Sequence, residues 1–214
     1  MCGKNTNWIK EFTAIGNNNI MSKIEFIIPT YERSNHLMCL LNSLCAQTSN
    51  DWAAHVIADC PPQGTLDKIM KYFKDDERIR FTILPERYND WGHTPRNIGL
   101  ELATEEWVVM TGEDNYYTPK FVEFFLQSAK SKPNSHFIFC DMVHNWVNFE
   151  YIYVKCEPKY GKIDIGNFIT KSELAKQIKI DPTFEQSDWK FVSEYLSKFK
   201  GDLIRIPKTL YVHN

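Results

Sequence analysis

Long apolar runs are missing from this chain of 214 residues. The longest, such as 24–29 and 107–110, fall far short of the roughly 20 residues needed to cross a bilayer, so no transmembrane segment is expected. An excess of either charge is missing too. Lys and Arg number 25 against 27 Asp and Glu, and a net charge of -2 leaves no overall positive field for gripping nucleic acid by its phosphates. The six cysteines (Cys2, Cys39, Cys45, Cys60, Cys140 and Cys156) include no C-x-x-C pair, which argues against a zinc site or a disulfide framework and for reduced, mostly buried thiols. Residues 4–19 are polar and lack a basic stretch followed by an apolar one, so export is not expected and a cytoplasmic setting is. What remains, 43% hydrophobic and 24% charged, is an ordinary globular composition that sets disorder, collagen-like repeats and coiled coils aside.

The first twenty residues end in a turn-rich Gly16-Asn17-Asn18-Asn19 and read as an extension; a single domain is expected over 21–214. Within it, strands and helices alternate. An apolar strand at 24–28 stops at Pro29, and Leu37, Leu40, Leu41 and Leu44 then recur on one helical face, capped by Ser34 or Asn35. A strand at 55–58 precedes a helix carrying Leu66, Ile69, Met70 and Phe73. Strands at 80–84 and 107–110 flank a helix that Thr94 caps and Pro95 opens, and Thr118-Pro119 starts the next. Past Ser135 the pattern predicts strands at 137–140, 151–154, 203–206 and 210–212, with helices at 171–177 and 189–199. Strands apolar on both faces between amphipathic helices imply an α/β fold with a mainly parallel central sheet.

Ligands of such sheets sit beyond the carboxyl ends of the strands, where strand order reverses. The polar residues there are Thr30-Tyr31-Glu32, Asp59, residues 89–97, Gly112-Glu113-Asp114-Asn115 and Asp141. Adjacent Glu113 and Asp114 suit a hard divalent cation that shares its coordination with substrate phosphates, although a solvated acidic turn would look the same. Asp59 could accept the N3–H of uracil, or simply start the Cys60-Pro61-Pro62 turn. Arg96 lies in the first turn of a capped helix after Gly92, a combination that attracts phosphate or steadies a nearby carboxylate. His93 reads as a surface or satisfied histidine. Asp188 could be a helix N-cap or a general base, and His213 has no local pattern. The aromatic stretch 144–153 could stack on sugar faces, though core packing accounts for it as readily.

Taken in order, these segments resemble glycosyltransferase family 2. Ile27-Ile28-Pro29-Thr30-Tyr31-Glu32-Arg33 is similar to the family's opening strand and P-T-Y-N turn, and residues 41–48 to its S-L-x-x-Q-T helix end. Val56-Ile57-Ala58-Asp59 stands in the place of V-V-D-D, and residues 92–99 in that of G-x-x-x-A-R-N-x-G, with Pro95 for Ala. Residues 108–119 resemble F-L-D-x-D-D-x-x-x-P, Ser187-Asp188-Trp189 resembles E-D-W, and residues 206–213 resemble the closing strands.

The resemblance implies a GT-A fold and inverting transfer of a sugar from a nucleotide-diphosphate donor, expected to be a UDP- or dTDP-sugar, to a hydroxyl of a glycan or other acceptor. It implies that Pro29, Thr30, Tyr31, Glu32 and Asp59 hold the base and ribose, and that Arg96 and Glu113 complete the nucleotide site. Asp114 and His213 would ligate Mn²⁺ or Mg²⁺, and Asp188 would be the catalytic base. Gly112 departs from the pattern, standing where the first acid of D-x-D belongs, so either metal affinity is expected to be lower or Glu113 to substitute in part. Two rivals stay open: a sugar-nucleotide-binding module without turnover, and another metal-dependent α/β enzyme such as a nucleotidyltransferase or phosphohydrolase.

Overall fold

The computed structural model describes residues 22–145, 150–185 and 187–214. The expected extension over 1–20 lies outside them. The chain runs β1 (Ile24–Thr30), α1 (Ser34–Cys45), β2 (Trp52–Ala58), α2 (Asp67–Tyr72), β3 (Ile79–Ile83), α3 (His93–Leu102), β4 (Trp107–Met110), β5 (Tyr116–Tyr117), α4 (Phe121–Ser131), β6 (Ser135–His144), β7 (Ile152–Val154), β8 (Phe168–Lys171), α5 (Ser172–Ala175), α6 (Ser187–Lys198) and β9 (Asp202–His213). Among the described residues no helix is long and apolar enough to cross a membrane.

One nine-stranded sheet carries the fold, in the order β3-β2-β1-β4-β8-β6-β9-β5, with β7 paired to β6. Its first half is parallel, as expected from strands that are apolar on both faces: all seven residues of β1 and all four of β4 are buried. The second half is mixed. Strand β8 runs antiparallel to β4 and β6, β9 runs parallel to β6, and the two-residue β5 pairs antiparallel with β9. Chain order reverses at β1, whose neighbours are β2 on one side and β4 on the other. The connections that leave the strand ends diverge there, leaving a crevice beyond Thr30, Ala58 and Met110.

Several expected boundaries shift for identifiable reasons. Ser34 lies inside α1, whose N-cap is Arg33. Thr94 and Pro95 lie within α3, which begins after the left-handed Gly92, and the Thr94 N–H is taken by the Asp90 carboxylate at 2.9 Å. The start of α4 falls at Phe121, where Gln47 serves as a remote cap: its Oε1 accepts the Val122 N–H at 3.1 Å while its Nε2 donates to the Thr118 carbonyl at 2.8 Å. Two expected closing strands are one twelve-residue strand, β9. Pro207 has no N–H for the ladder, and the register skips from Ile206 to Thr209 around it. Helix α5 is a single turn that tightens into i→i+3 bonds before Lys179, at φ 64°. Of the described cysteines only Cys140 and Cys156 are buried; Cys39 and Cys45 are exposed, contrary to the expectation of mostly buried thiols.

Buried acids pin the sheet to its helices. Glu25, the second residue of β1, accepts hydrogen bonds from Arg80 of β3 and from the Thr104 N–H just after α3 at 2.9 Å, so its charge is compensated where burial would otherwise be costly. Helix α3 lies close on β1 and β2 because Gly99 faces them: a Cβ there would come within 2.5 Å of Ile27 Cγ2 and 3.0 Å of Ile57 Cγ1. Gly99→Ala is therefore expected to lower the unfolding free energy by about 1–3 kcal/mol through overpacking. Urea unfolding measures this, and unchanged stability would show that α3 lifts away at no cost.

Candidate active site

A cavity of about 610 Å³ occupies the crevice and is lined by Thr30, Tyr31, Arg33, Asp59, Arg96 and Asp114, among others. Pro29, Glu32 and Glu113 also line it, so eight of the ten expected site residues share one hollow. Asp188 and His213 lie outside its lining, in an adjoining cluster.

The loop from Leu84 to Gly92 forms one wall. Asn89, Trp91 and Gly92 have φ of 54°, 56° and 79°, and such left-handed backbone is costly for a bulky Trp unless the surroundings impose it. They do. Asp59 accepts the Tyr88 N–H with Oδ1 at 2.9 Å and the Asn89 N–H with Oδ2 at 3.0 Å. Buried Arg96 donates from Nη1 to the Trp91 carbonyl at 2.9 Å and from Nε to the Thr111 carbonyl at 3.2 Å, tying the loop to the end of β4. Arg87 lies over the Tyr31 ring at 3.6 Å. Asp59 thus shapes the loop with both of its oxygens, and it also lines the cavity.

Residues 111–115 form the opposite wall. Thr111 donates its N–H to the Ile27 carbonyl at 3.1 Å, and Asn115 Nδ2 donates to the Thr111 hydroxyl at 3.1 Å. Arg96 does not pair with the acids of this loop; Arg33 does, with Nη1 2.6 Å from Asp114 Oδ2 and Nε 3.8 Å from Glu113 Oε1. Burial pushes the Glu113 carboxyl above its ordinary range, against the pull of the Thr30 hydroxyl and Arg33.

The second cluster gathers at the first turn of α6. Burial, and then the neighbouring Asp164, push Asp188 up to about 6, while Arg96, His213 and a hydrogen bond from the Ile165 backbone act in the other direction. Asp164 is itself fixed by the Tyr211 hydroxyl at 2.6 Å and the Gly166 N–H at 2.8 Å, and His213 Nε2 stands 3.5 Å from it. Tyr211 packs so closely on Gly166 that a Cβ there would meet its ring at about 2.6 Å. The charge of Arg96 reaches this cluster from the cavity, and the Asn214 N–H, next to His213, is bonded to Asn115 Oδ1 at 3.3 Å, next to Asp114.

Other expected residues fall elsewhere. Asp141 is committed to Arg205, Tyr153 and the Cys156 N–H. His93 is buried at the start of α3, and its pKa is lowered by burial and by Arg96. Of the aromatic stretch, residues 146–149 lie outside the described residues; Tyr151 is exposed and donates to Asn214 Oδ1 at 2.6 Å, beside His213. Arg33, Asp164 and Gln47 received no role from the sequence, because each acts through partners far away in the chain.

The donor set limits what metal the site can hold. Among the described residues no group of three or more His, Cys, Asp or Glu is placed around one point. Gly112 supplies no first acid, and a Cβ there would lie 2.8 Å from Asp114 Oδ1, so that carboxylate would have to shift to admit one. Asp114 can still offer that Oδ1, and Mg²⁺ or Mn²⁺ bound largely by phosphate and water needs only one or two carboxylates. The residues fit a divalent ion with a single protein carboxylate; His213 is turned to Asp164.

A raised carboxyl pKa also affects stability. In the unfolded chain Asp188 ionises near the ordinary 3.8, in the folded chain near 6, so folding loses stability as pH rises through that window. Asp188→Asn is therefore expected to be more stable than the parent at pH 7, with the gap closing as pH falls towards 4. Thermal unfolding at the two pH values checks this, and a variant less stable at pH 7 would contradict it.

Known proteins resemble this chain in both sequence and shape. The sequence model of Glycosyl transferase family 2 matches residues 25–193. An uncharacterized glycosyltransferase of Haemophilus influenzae is 26% identical over 140 residues, which are 64% of this chain and 45% of that protein. The chain thus spans about half the length of the curated relatives it matches first. In shape it is similar to Staphylococcus aureus TarS, residues 1–349, solved in complex with UDP: TM-score 0.75, 19% identity, 90% of this chain and 60% of that one. The mannosyltransferase PcManGT from Pyrobaculum calidifontis, in complex with GDP-Man and Mn²⁺, superposes with TM-score 0.68 at 15% identity, over 91% of this chain and 57% of that one.

Proposed function

Since this chain belongs to glycosyltransferase family 2 and has the GT-A fold, we propose that it transfers a sugar, with inversion, from a nucleoside-diphosphate donor to a hydroxyl of a glycan or similar acceptor. One observation carries the reading: Arg96 lines a nucleotide-sized hollow and its charge also acts on Asp188, so the hollow and a carboxylate with base character lie within electrostatic reach of one side chain. A donor nucleoside that is a uridine or thymidine agrees with the acceptor oxygens of Asp59 in the cavity and with the UDP bound by TarS. The catalytic domain is taken as residues 21–214, in a cytoplasmic setting.

In this mechanism Thr30, Tyr31, Glu32 and Asp59 hold the base and ribose against Pro29. Arg96 ties the loop to the end of β4 and supports the diphosphate against the acidic loop, with Glu113 at its edge. The acceptor hydroxyl approaches from the Tyr151 side. Asp188 removes its proton as the new bond to the anomeric carbon forms and the bond to the diphosphate oxygen breaks, leaving the sugar inverted and the nucleoside diphosphate free. A carboxylate with pKa near 6 is a stronger base than an ordinary one and is still ionised at neutral pH. A divalent ion on Asp114 would offset the charge accumulating on the leaving group.

Nucleotide sugars tested one by one in a thermal-shift screen should raise the melting temperature for a cognate donor. With that donor and a competent acceptor, Asp188→Asn is expected to lower transfer by about 10²- to 10⁴-fold and leave the thermal shift in place. Transfer by the parent should fall as pH drops below about 6, where Asp188 takes up its proton. Undiminished transfer by the variant would remove Asp188 from the reaction. Release of phosphate or pyrophosphate in place of a nucleoside diphosphate would favour a phosphohydrolase or nucleotidyltransferase, and donor binding without product would favour a binding module.

A further inference from the structure

The three arginines of the cavity have different commitments. Arg96 is buried and bonded to two backbone carbonyls. Arg87 lies flat on Tyr31 and donates to Asn89 Oδ1 at 2.8 Å. Arg33 is directed at carboxylates, Asp114 at 2.6 Å and Glu113 at 3.8 Å, with its own side chain 60% exposed. Its main chain is fixed as the N-cap of α1, so the guanidinium moves by rotamer changes alone.

An ion pair this exposed contributes little to stability and is readily exchanged for a better anion. A diphosphate is such an anion, because its oxygens match the planar guanidinium fork and it carries more charge than one carboxylate. Asp114 meanwhile has two suitors. Its Oδ2 holds Arg33, and Gly112 supplies no second acid to secure a divalent ion beside it. A guanidinium and a metal ion therefore draw on the charge of one carboxylate.

We infer that Arg33 is a diphosphate-binding cation held ready by Asp114, which lets this site bind a nucleoside diphosphate without a divalent metal. The inference rests on the reading of the cavity as a nucleotide site and adds a residue to it. Arg33 turns from Asp114 to the phosphates when they arrive, and a metal that takes Asp114 substitutes for part of its charge.

Calorimetric titration with UDP, and separately with inorganic pyrophosphate, tests this in EDTA and in Mn²⁺. The parent should bind both in EDTA. Arg33→Gln should bind them about 10- to 100-fold more weakly in EDTA, the loss typical of a charge-assisted hydrogen bond, with much of the loss restored by Mn²⁺. Arg33→Lys, which keeps the charge without the fork, should fall between. Parent-like affinity of Arg33→Gln in EDTA overturns the assignment and leaves the nucleotide site standing, as does a parent that binds UDP only with Mn²⁺. A parent that binds neither probe under either condition overturns this assignment and the nucleotide site together.

Discussion

A buried guanidinium holds the site together. Arg96 is desolvated, and such a charge is tolerable only where dipoles and anions surround it. Two carbonyls and the Asp188 carboxylate supply them, and each serves a second purpose. The Trp91 carbonyl fixes a loop in a conformation it would otherwise avoid, the Thr111 carbonyl positions the turn bearing Asp114, and Asp188 has its proton affinity moderated. The parallel half of the sheet provides the frame, because its reversal at β1 brings the ends of β1, β2 and β4 within reach of one side chain.

Asp188 illustrates how burial creates chemistry at a thermodynamic cost. Apolar surroundings and a second acid, Asp164, weaken its hold on charge, while Arg96 and His213 keep the effect within limits. Asp164 is anchored by Tyr211 and Gly166, so the acid acting on Asp188 is held rigidly by two hydrogen bonds. That rigidity makes the field a fixed property of the fold.

The parallel strands were legible because burial on both faces writes itself into sequence as continuous apolar residues, as at Ile24–Thr30 and Trp107–Met110. Strand β5 was not, since Tyr116 and Tyr117 are a strand only by virtue of Val212 and Tyr211 opposite them. Likewise β8 is defined by β4 and β6, and the union of the last two expected strands by a skipped register at Pro207. In the site, carboxylates at strand ends could be found by position and family resemblance. The partner of Asp114 could not: it looked like Arg96, which is nearer in the motif order, and is Arg33, at the opening of α1. Asp164 carried no signal beyond an acid between two isoleucines.

The left-handed turn at Trp91 bears on how fast a ligand is captured and how long it stays. Since Asp59 and Arg96 already hold this wall in place, an incoming molecule need not first order it, and the entropy usually lost in closing a loop is absent from its affinity. Capture then approaches the encounter of two rigid bodies, and differences between related ligands fall on their escape rates.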